Sequence, residues 1–508
     1  MPTRWRLPDW ITPRRLLMAG VGTVVMAVGA FLVPFHPLSP FYPCDAGLVS
    51  RAGSCIGVSG SSDFEDPALA AVMEKIAAEN ASVSAPGGSY YSLGYLAPLE
   101  PPDDRTSLST RSRHELEGLY LAQYRANRTN ELGDGPKIKL LVANAGPRNE
   151  HWETVTGSLL ELSQGPDRLR AVVGFGSSLE TTKRAIRMLT QPPNGASPVA
   201  AIGSRLTADS FKLMPRSAND RRVEGFFRVA PTNTDEAVAA VDHIQQVGYL
   251  RPLLLRDRNS ADAYVATLGA AFRNVFGDMT EEETFNGSQD GLANAFDDVV
   301  LNLCVTTPDV VYFAGRGDAL AKFVEVLSAR RCQGMPIDIV TGDDIGGLRA
   351  RADEGGNGVN VALSGNVTVT YIALVSTALW ADTDSRSSYN GAALSYFEGT
   401  CDQCWSRQFP GESLDDGAAI MGHDAFVLAV TALRRAEGST GTEEVTTSAV
   451  IQLLYQIRGV NTVSGASGEL SMTACGDVER KPFPVLSLNA DGSSTLVRTA
   501  VSAGRLPC

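Results

Sequence analysis

Two serines stand where a predicted strand passes into a predicted helix, and their position suits an anion-binding site. Ser177 and Ser178 end the stretch Gly-Phe-Gly-Ser-Ser, which overlaps the end of the apolar run at 171–175. That run predicts a buried strand, and an amphipathic helix is expected to begin at Thr181. Because a helix N-terminus offers backbone N–H groups and the positive end of its dipole, we expect the serines to hold an anionic ligand group. The alternative is that they only cap the helix.

Other residue patterns that could support chemistry give little indication of an enzyme. Cys401 and Cys404 have the Cys-x-x-Cys spacing of thiol exchange, but they lie in an insert between predicted helices. The chain has five histidines and lacks a His-x-x-His pair, so no metal site is expected. Neither a nucleophile elbow nor a phosphate loop is present. We therefore predict that the protein is not an enzyme and has no cofactor.

All eight cysteines lie beyond residue 43, and an even number in an exported chain favours disulfides. Spacing alone cannot fix which cysteines pair. Our hypothesis is that neighbours in the sequence are joined, which gives the pairs Cys44 with Cys55, Cys304 with Cys332, Cys401 with Cys404, and Cys475 with Cys508.

The first 36 residues have the pattern of a membrane anchor. Four arginines and one acid precede an uncharged apolar run from Leu16 to Val33. That run is long enough to cross a bilayer, and the arginines favour a cytoplasmic N-terminus. We predict a cytoplasmic tail at 1–15, a transmembrane helix at 16–36 and an extracytoplasmic remainder, which makes a single-pass protein of the cell membrane. The alternative is a signal peptide cleaved after Gly29.

The rest of the 508-residue chain predicts an α/β fold with two lobes. A linker with a disulfide loop and a helix is expected at 37–88, and strands and helices then alternate in one series from Tyr90 and another from Arg251. This alternation predicts two doubly wound parallel sheets with right-handed crossovers. A formal charge of -13 leaves no basic surface for a nucleic acid, so we expect no nucleic-acid partner.

In this order, several segments resemble the type I periplasmic binding protein family, particularly the branched-chain amino acid binding proteins of ABC transporters. The segments are AVVGFGSSLETT, FFRVAPTNTDEAVAAVDHI, GHDAFVLAVTAL, and GASGELSM followed by LNADGSS. The resemblance covers about 90–497 and implies two lobes that are joined by a three-strand hinge and enclose a ligand. It implies a first lobe at 89–230 and 367–459, and a second lobe at 231–366 and 460–508.

The resemblance also implies which residues bind the ligand. Ser177 and Ser178 match a strand end that holds the ligand carboxylate. The other matching positions are Thr207, which meets the amino acid head group, Tyr264, and Asp343, which pairs with the ligand ammonium.

Two further positions of this predicted site depart from the family pattern. Arg205 and Arg316 stand where small or aromatic residues are usual. Guanidinium groups suit carboxylates and phosphates, so these two residues favour a larger or more acidic ligand.

The expected function is therefore that of a membrane-anchored extracytoplasmic solute-binding protein. It would capture a small polar ligand, either amino acid-like or anionic, between its lobes and present it to an ABC permease. The alternative is a ligand-sensing receptor or scaffold that has the same fold, no longer serves transport and reports to a membrane sensor.

Overall fold

The computed structural model describes residues 44–84, 89–99, 107–211, 224–277, 281–288, 291–381, 388–440 and 444–504. The predicted cytoplasmic tail and transmembrane helix, at 1–15 and 16–36, lie outside these residues. Within the described ranges, every helix is too short or too polar to span a bilayer.

The first lobe is built on a seven-stranded sheet in which β3 to β7 run parallel. The strand order is β1-β2-β4-β3-β5-β6-β7, and β1 and β2 form an antiparallel hairpin at one edge. The strands are β1 (Val49–Arg51), β2 (Ser54–Ser59), β3 (Tyr90–Ala97), β4 (Lys137–Asn144), β5 (Leu169–Gly174), β6 (Ala200–Gly203) and β7 (Phe226–Arg228). The helices from this first part of the chain are α1 (Ala70–Val83), α2 (Ser107–Arg128), α3 (Trp152–Gln164) and α4 (Glu180–Thr190). The strands β5 and β6 are buried along their whole length, as continuous apolar runs predict.

The second lobe is built on another seven-stranded sheet, in the order β17-β16-β12-β11-β10-β8-β9. Its parallel strands are β8 (Pro252–Asp257), β9 (Glu281–Phe285), β10 (Val310–Ala314), β11 (Ile337–Thr341) and β12 (Val367–Ile372). The helices that accompany them are α5 (Asn233–Val247), α6 (Ala263–Phe276), α7 (Leu292–Thr306), α8 (Gly317–Leu327), α9 (Gly346–Glu354) and α10 (Gly358–Leu363).

The C-terminal third of the chain contributes to both lobes. Its helices are α11 (Gly391–Glu398), α12 (Trp405–Gln408), α13 (Ala418–Thr440) and α14 (Thr447–Tyr455). Helix α13 packs on α2, and both α13 and α14 pack on β5. A small antiparallel sheet follows, with β13 (Val463–Ser464), β14 (Glu469–Met472) and β15 (Val478–Glu479). Strands β16 (Pro482–Leu488) and β17 (Ser494–Val501) then complete the second sheet as antiparallel neighbours of β12.

The prediction of an α/β fold with two mainly parallel sheets is therefore confirmed. The chain passes between the lobes in three segments, at 229–232, 373–376 and 480–481, which we call the hinge segments. Short 3-10 turns lie at Pro147–Asn149, Pro193–Gly195, Asp209–Phe211, Thr377–Ala381 and Gly459–Asn461.

Two features of the predicted lobe layout differ from the structure. The segment 37–88 was expected to be a linker, but its hairpin joins the first sheet and α1 packs on β4. The segment from Val367 was expected to belong to the first lobe, but it forms β12 and pairs with β11 in the second sheet. Its sequence, Val-Thr-Val-Thr-Tyr-Ile, is rich in β-branched and aromatic residues, which favour a strand.

Three of the four predicted disulfides are formed. They join Cys44 to Cys55, Cys304 to Cys332, and Cys401 to Cys404. Cys475 is also disulfide-bonded, and its predicted partner Cys508 lies outside the described residues. The pairing of sequence neighbours is thus confirmed for the first three pairs.

Candidate ligand-binding site

The carboxyl ends of the parallel strands of the two lobes meet, and the predicted site residues lie there. Leu179, after β5, forms an isolated antiparallel bridge with Asp262, after β8. Arg111, on α2 of the first lobe, forms a salt bridge with Asp344 of the second, and the distance from Nη1 to Oδ1 is 3.1 Å. In open α/β sheets, ligands bind at this end of the strands. We call this junction the interlobe cleft.

The serines lie at the start of α4, but neither is its N-cap. Leu179 is the N-cap residue and makes no side-chain cap hydrogen bond. The hydroxyl of Ser178 is buried and accepts from the backbone N–H of Ala208 at 3.4 Å. The carbonyl of Ser177 accepts from the hydroxyl of Thr182 at 2.8 Å. Ser178 thus links the segments that follow β5 and β6, while Ser177 contacts the first turn of α4 through its carbonyl, and neither hydroxyl caps the helix.

Thr207 lies where the first lobe meets helix α5. It is buried, and its carbonyl accepts from the backbone N–H of Asn233, the first residue of α5, at 2.8 Å. It therefore helps to set the position of α5 relative to the first sheet.

Arg205 is paired with a carboxylate inside the first lobe. Its Nε and Nη2 donate to Glu115 Oε2 at 3.2 and 3.0 Å, and the hydroxyl of Tyr95 donates to the same oxygen at 3.2 Å. The hydroxyl of Ser204 donates to the other oxygen of Glu115. Glu115 lies on α2 and is fully buried. The charge of Arg205 is thus balanced without a ligand, which removes one reason to expect an acidic one.

Arg316 is balanced in the same way in the second lobe. It donates to both carboxylate oxygens of Asp262, at 2.9 and 2.8 Å, and to Asp344 at 3.1 Å. Its guanidinium also lies 4.5 Å from the centre of the Tyr264 ring. Burial alone would raise the pKa of Asp344, but Arg111 and Arg316 hold that pKa below its ordinary value. The second reason to expect an acidic ligand is therefore also removed.

Asp343 and Glu236 are two acids of the cleft that form no salt bridge with any described residue, although Arg111, Arg316 and Arg205 act electrostatically on Asp343. The backbone N–H of Asp343 donates to Glu236 Oε2 at 3.1 Å. The second oxygen of Glu236, Oε1, and the Oδ1 atom of Asp343 are buried and have no hydrogen-bond partner among the described residues. Burial, assisted by Asp344, raises the pKa of Asp343 to about 6. Burial and the charge of Asp343 raise the pKa of Glu236 well above its ordinary value.

Sequence reasoning missed Glu236, although one signal was present. Thr232 and Asp235 form a complete capping box at the start of α5. Acids are common in the first turn of a helix, so Glu236 looks like part of an ordinary helix start. The signal was that Asp235 already supplies the acid of the capping box. The adjacent acid, Glu236, is therefore not needed to cap the helix.

One cavity of the cleft is lined wholly by described residues, and it is small. A cavity of about 40 Å³ lies where Arg111, Arg205 and Asp343 come together. This is room for a water molecule or two, whereas small-molecule sites commonly measure about 300–1,000 Å³. At this place, a ligand requires the lobes to move apart or the side chains to rotate.

The insert that contains the Cys-x-x-Cys motif holds α2 in place. Cys401 is exposed and Cys404 is buried, and the following residues place Glu412 and Asp416 against His114 of α2. In the ranges that the structure describes, no group of three His, Cys, Asp or Glu residues could hold a metal ion.

We expect His114 to make the protein less stable as the pH rises above neutrality. Its Nδ1 lies 2.7 Å from Asp416 Oδ2 and its Nε2 lies 2.9 Å from Glu412 Oε2. Burial alone would lower the pKa of His114, but these two carboxylates raise it. The stabilisation is therefore complete below the unfolded-state pKa of about 6.5 and is lost as the pH rises through the raised folded-state pKa.

Urea unfolding of wild type and His114→Gln across this pH range measures the effect. The difference between their free energies of unfolding should shrink as the pH rises. His243→Gln is the matched control, because burial and Arg498 lower the pKa of His243. A difference for His114→Gln that stays constant with pH would contradict the assignment.

No model of a protein family and no curated protein sequence matches this chain. Solved structures do match it. A leucine-binding protein LivK from Thermotoga maritima is 16% identical with a TM-score of 0.56, and the match covers 81% of this chain and 98% of that one. LivJ from Streptococcus pneumoniae, solved with isoleucine, is 16% identical with a TM-score of 0.58, and the match covers 81% and 99%.

A third match was solved with a different kind of ligand. It is a solute-binding protein of an ABC transporter from Rhodopseudomonas palustris, solved with 3,4-dihydroxybenzoic acid. It is 14% identical with a TM-score of 0.55, and the match covers 82% of this chain and 98% of that one. At such identities the likeness establishes the fold, and this chain has the two-lobed α/β fold of type I periplasmic binding proteins.

Proposed function

We propose that this protein is an extracytoplasmic solute-binding protein that encloses a small amino acid-like ligand in the interlobe cleft. The observation that carries the proposal is the buried, unpartnered oxygen of Asp343 at the junction of the lobes. A buried polar atom without a partner is costly, and a ligand ammonium would satisfy it. The solved structures of this fold include complexes with isoleucine, leucine and aromatic acids.

The proposed roles follow from the contacts around the cleft. Asp343 accepts from the ligand ammonium, while Ser177, Ser178 and the N-terminus of α4 receive its carboxylate. Thr207 and Tyr264 border the bound molecule. Arg205 and Arg316 act indirectly, since their internal partners Glu115 and Asp262 hold them in place. The protein makes and breaks no bond of its ligand in this mechanism.

The proposal includes a location and a partner. The apolar run at 16–36 would anchor the protein in the cell membrane, and the disulfides suit an extracytoplasmic compartment. The closed, loaded form would then present the ligand to an ABC permease.

One observation favours the alternative of a receptor or scaffold. The cavity beside Arg111, Arg205 and Asp343 measures about 40 Å³, and the salt bridge from Arg111 to Asp344 joins the lobes without a ligand. A protein that stays closed in this way would present its surface to a partner protein instead of transporting a solute.

Thermal unfolding of the purified full-length chain with candidate ligands tests the proposal. A ligand at about 100 times its Kd stabilises the folded state by about 2.7 kcal/mol, which raises Tm measurably. We expect such a rise with at least one amino acid or amine, and we expect Asp343→Asn to lose it. Glu74→Gln, at an exposed position of α1, is the control that should retain it. An unchanged Tm with every amino acid, amine and aromatic acid would contradict transport and favour the receptor.

A further inference from the structure

Glu236 is a buried acid that the fold of α5 does not require. Thr232 and Asp235 form the capping box of this helix between themselves, with hydrogen bonds of 3.0 and 3.1 Å. Glu236 is fully buried, its Oε2 accepts from the backbone N–H of Asp343 at 3.1 Å, and its Oε1 has no partner in the described ranges. One half of this carboxylate is therefore available to a ligand.

A second group beside these acids also lacks a partner. Tyr312 lies in the middle of the second sheet and is fully buried, and its hydroxyl makes no hydrogen bond within the part of the chain that the structure describes. Burial and the carboxylates of Glu236, Asp209 and Asp343 raise its pKa, so it remains a neutral donor and acceptor. The backbone at Gly342 packs closely against Glu236 and Tyr264. A Cβ atom on Gly342 would lie 2.6 Å from both Glu236 Oε2 and the Tyr264 hydroxyl. Glu236, Asp343 and Tyr312 thus form a cluster in which each side chain has one buried polar atom without a partner among the described residues, and the two carboxylates act electrostatically on the Tyr312 hydroxyl.

The positive charges near this cluster are engaged with other acids. Arg205 is paired with Glu115, Arg316 with Asp262 and Asp344, Arg111 with Asp344, and Arg228 with Asp477. Several titratable or charged groups interact electrostatically with Glu236, Asp343 or the nearby Asp209. Besides Asp209 itself, they are Asp235, Asp344, Tyr264, Tyr312, Arg111, Arg205, Arg228 and Arg316. Adjacent buried carboxylates without a cation cannot both ionise at low cost, so the pair retains a proton between them.

We infer that Glu236 is a second ligand-binding carboxylate which, together with Asp343, makes the cleft select ligands that carry a cationic amine. The inference rests on the proposed function and narrows its ligand class. One ammonium of the ligand donates to Asp343 Oδ1 and a second ammonium donates to Glu236 Oε1, and the proton held by the pair leaves to solvent, so each carboxylate is paired with one positive charge. A diamine or a dibasic amino acid is favoured over a neutral amino acid, and an acidic ligand is repelled.

Isothermal titration of the full-length chain at pH 7 with lysine, putrescine, leucine and glutamate tests this inference. We expect lysine or putrescine to bind at least tenfold more tightly than leucine or glutamate. The binding enthalpy should differ between phosphate and Tris buffers, because the released proton is taken up by the buffer. Glu236→Gln should weaken the binding of the cationic probe at least tenfold and reduce the dependence on buffer.

Control variants separate this role from an effect on folding. Glu117→Gln removes another buried acid, whose pKa burial raises to about 7, from the first lobe. It should leave both the affinity and the buffer dependence unchanged. Glu236→Asp keeps the charge and should retain the preference for cations. All variants should show cooperative thermal unfolding before they are compared.

The possible results distinguish the two proposals. If leucine or glutamate binds as tightly as lysine and Glu236→Gln has no effect, the inference about Glu236 is wrong and ligand capture in the cleft stands. If none of the four probes and no other amine or amino acid binds the wild type, both proposals are wrong.

Discussion

Replacing Arg228 with methionine is expected to lower the free energy of unfolding by about 3–5 kcal/mol. Arg228 ends β7, next to a hinge segment, and its Nε lies 2.6 Å from Asp477 Oδ1. It also donates to the carbonyl of Ala208 at 2.9 Å. The side chains of Arg228 and Asp477 are 0% and 1% exposed, so the substitution leaves a carboxylate buried without its cation.

Urea unfolding monitored by circular dichroism measures this loss. Arg251→Met is the matched control, because Arg251 pairs with Asp309 at the surface and such pairs contribute less than about 1 kcal/mol. The double variant Arg228→Met/Asp477→Leu should recover part of the loss, since it removes the uncompensated charge. An equal effect of Arg228→Met and Arg251→Met would contradict this assignment.

Replacing Asp424 with alanine is expected to lower the free energy of unfolding by a similar amount, about 3–5 kcal/mol. The carboxylate of this fully buried residue of α13 accepts from the backbone N–H groups of Ala466 and Ser467, at 2.9 and 2.6 Å. It also accepts from His423 Nδ1 at 2.7 Å. Without it, donors on α13 and on the loop after β13 would be left buried and unpaired.

The same carboxylate balances a buried lysine at the hinge. Lys481 donates to the carbonyl of Val229 at 2.7 Å and thus joins two hinge segments. Burial lowers the pKa of Lys481 to about 7, against the opposing charge of Asp424. Chemical denaturation of Asp424→Ala measures the combined effect, and Glu74→Ala, at an exposed acid, is the control. If Asp424→Ala is no less stable than Glu74→Ala, the hinge does not depend on this carboxylate.

Local patterns predicted much of the fold. The apolar runs that became β5 and β6 were recognisable because strands buried on both faces need apolar side chains at every position. The disulfides between cysteines that are close in the sequence were also predictable, because a short sequence separation favours pairing with the neighbouring cysteine. The assignment of 367–372 to the first lobe was wrong, because Val367–Ile372 is rich in β-branched residues and forms a strand of the second sheet.

The partners of the site residues could not be predicted from local patterns. Arg205 is 90 residues from Glu115 in the sequence, and Asp343 is 107 residues from Glu236. Only the folded chain shows that Arg205 already has a carboxylate and that Asp343 faces a second acid. This is why the sequence favoured an anionic ligand while the contacts favour a cationic group.

Native mass spectrometry of the full-length chain, purified without added ligand, tests most directly whether the cleft encloses a small molecule. We expect a fraction of the wild-type protein to carry a small amine-containing compound that Asp343→Asn lacks. Where the purified protein is empty, lysine or putrescine should add its mass to the wild type and not to that variant. A bare protein mass in every preparation and with every added amine or amino acid would contradict the proposed function.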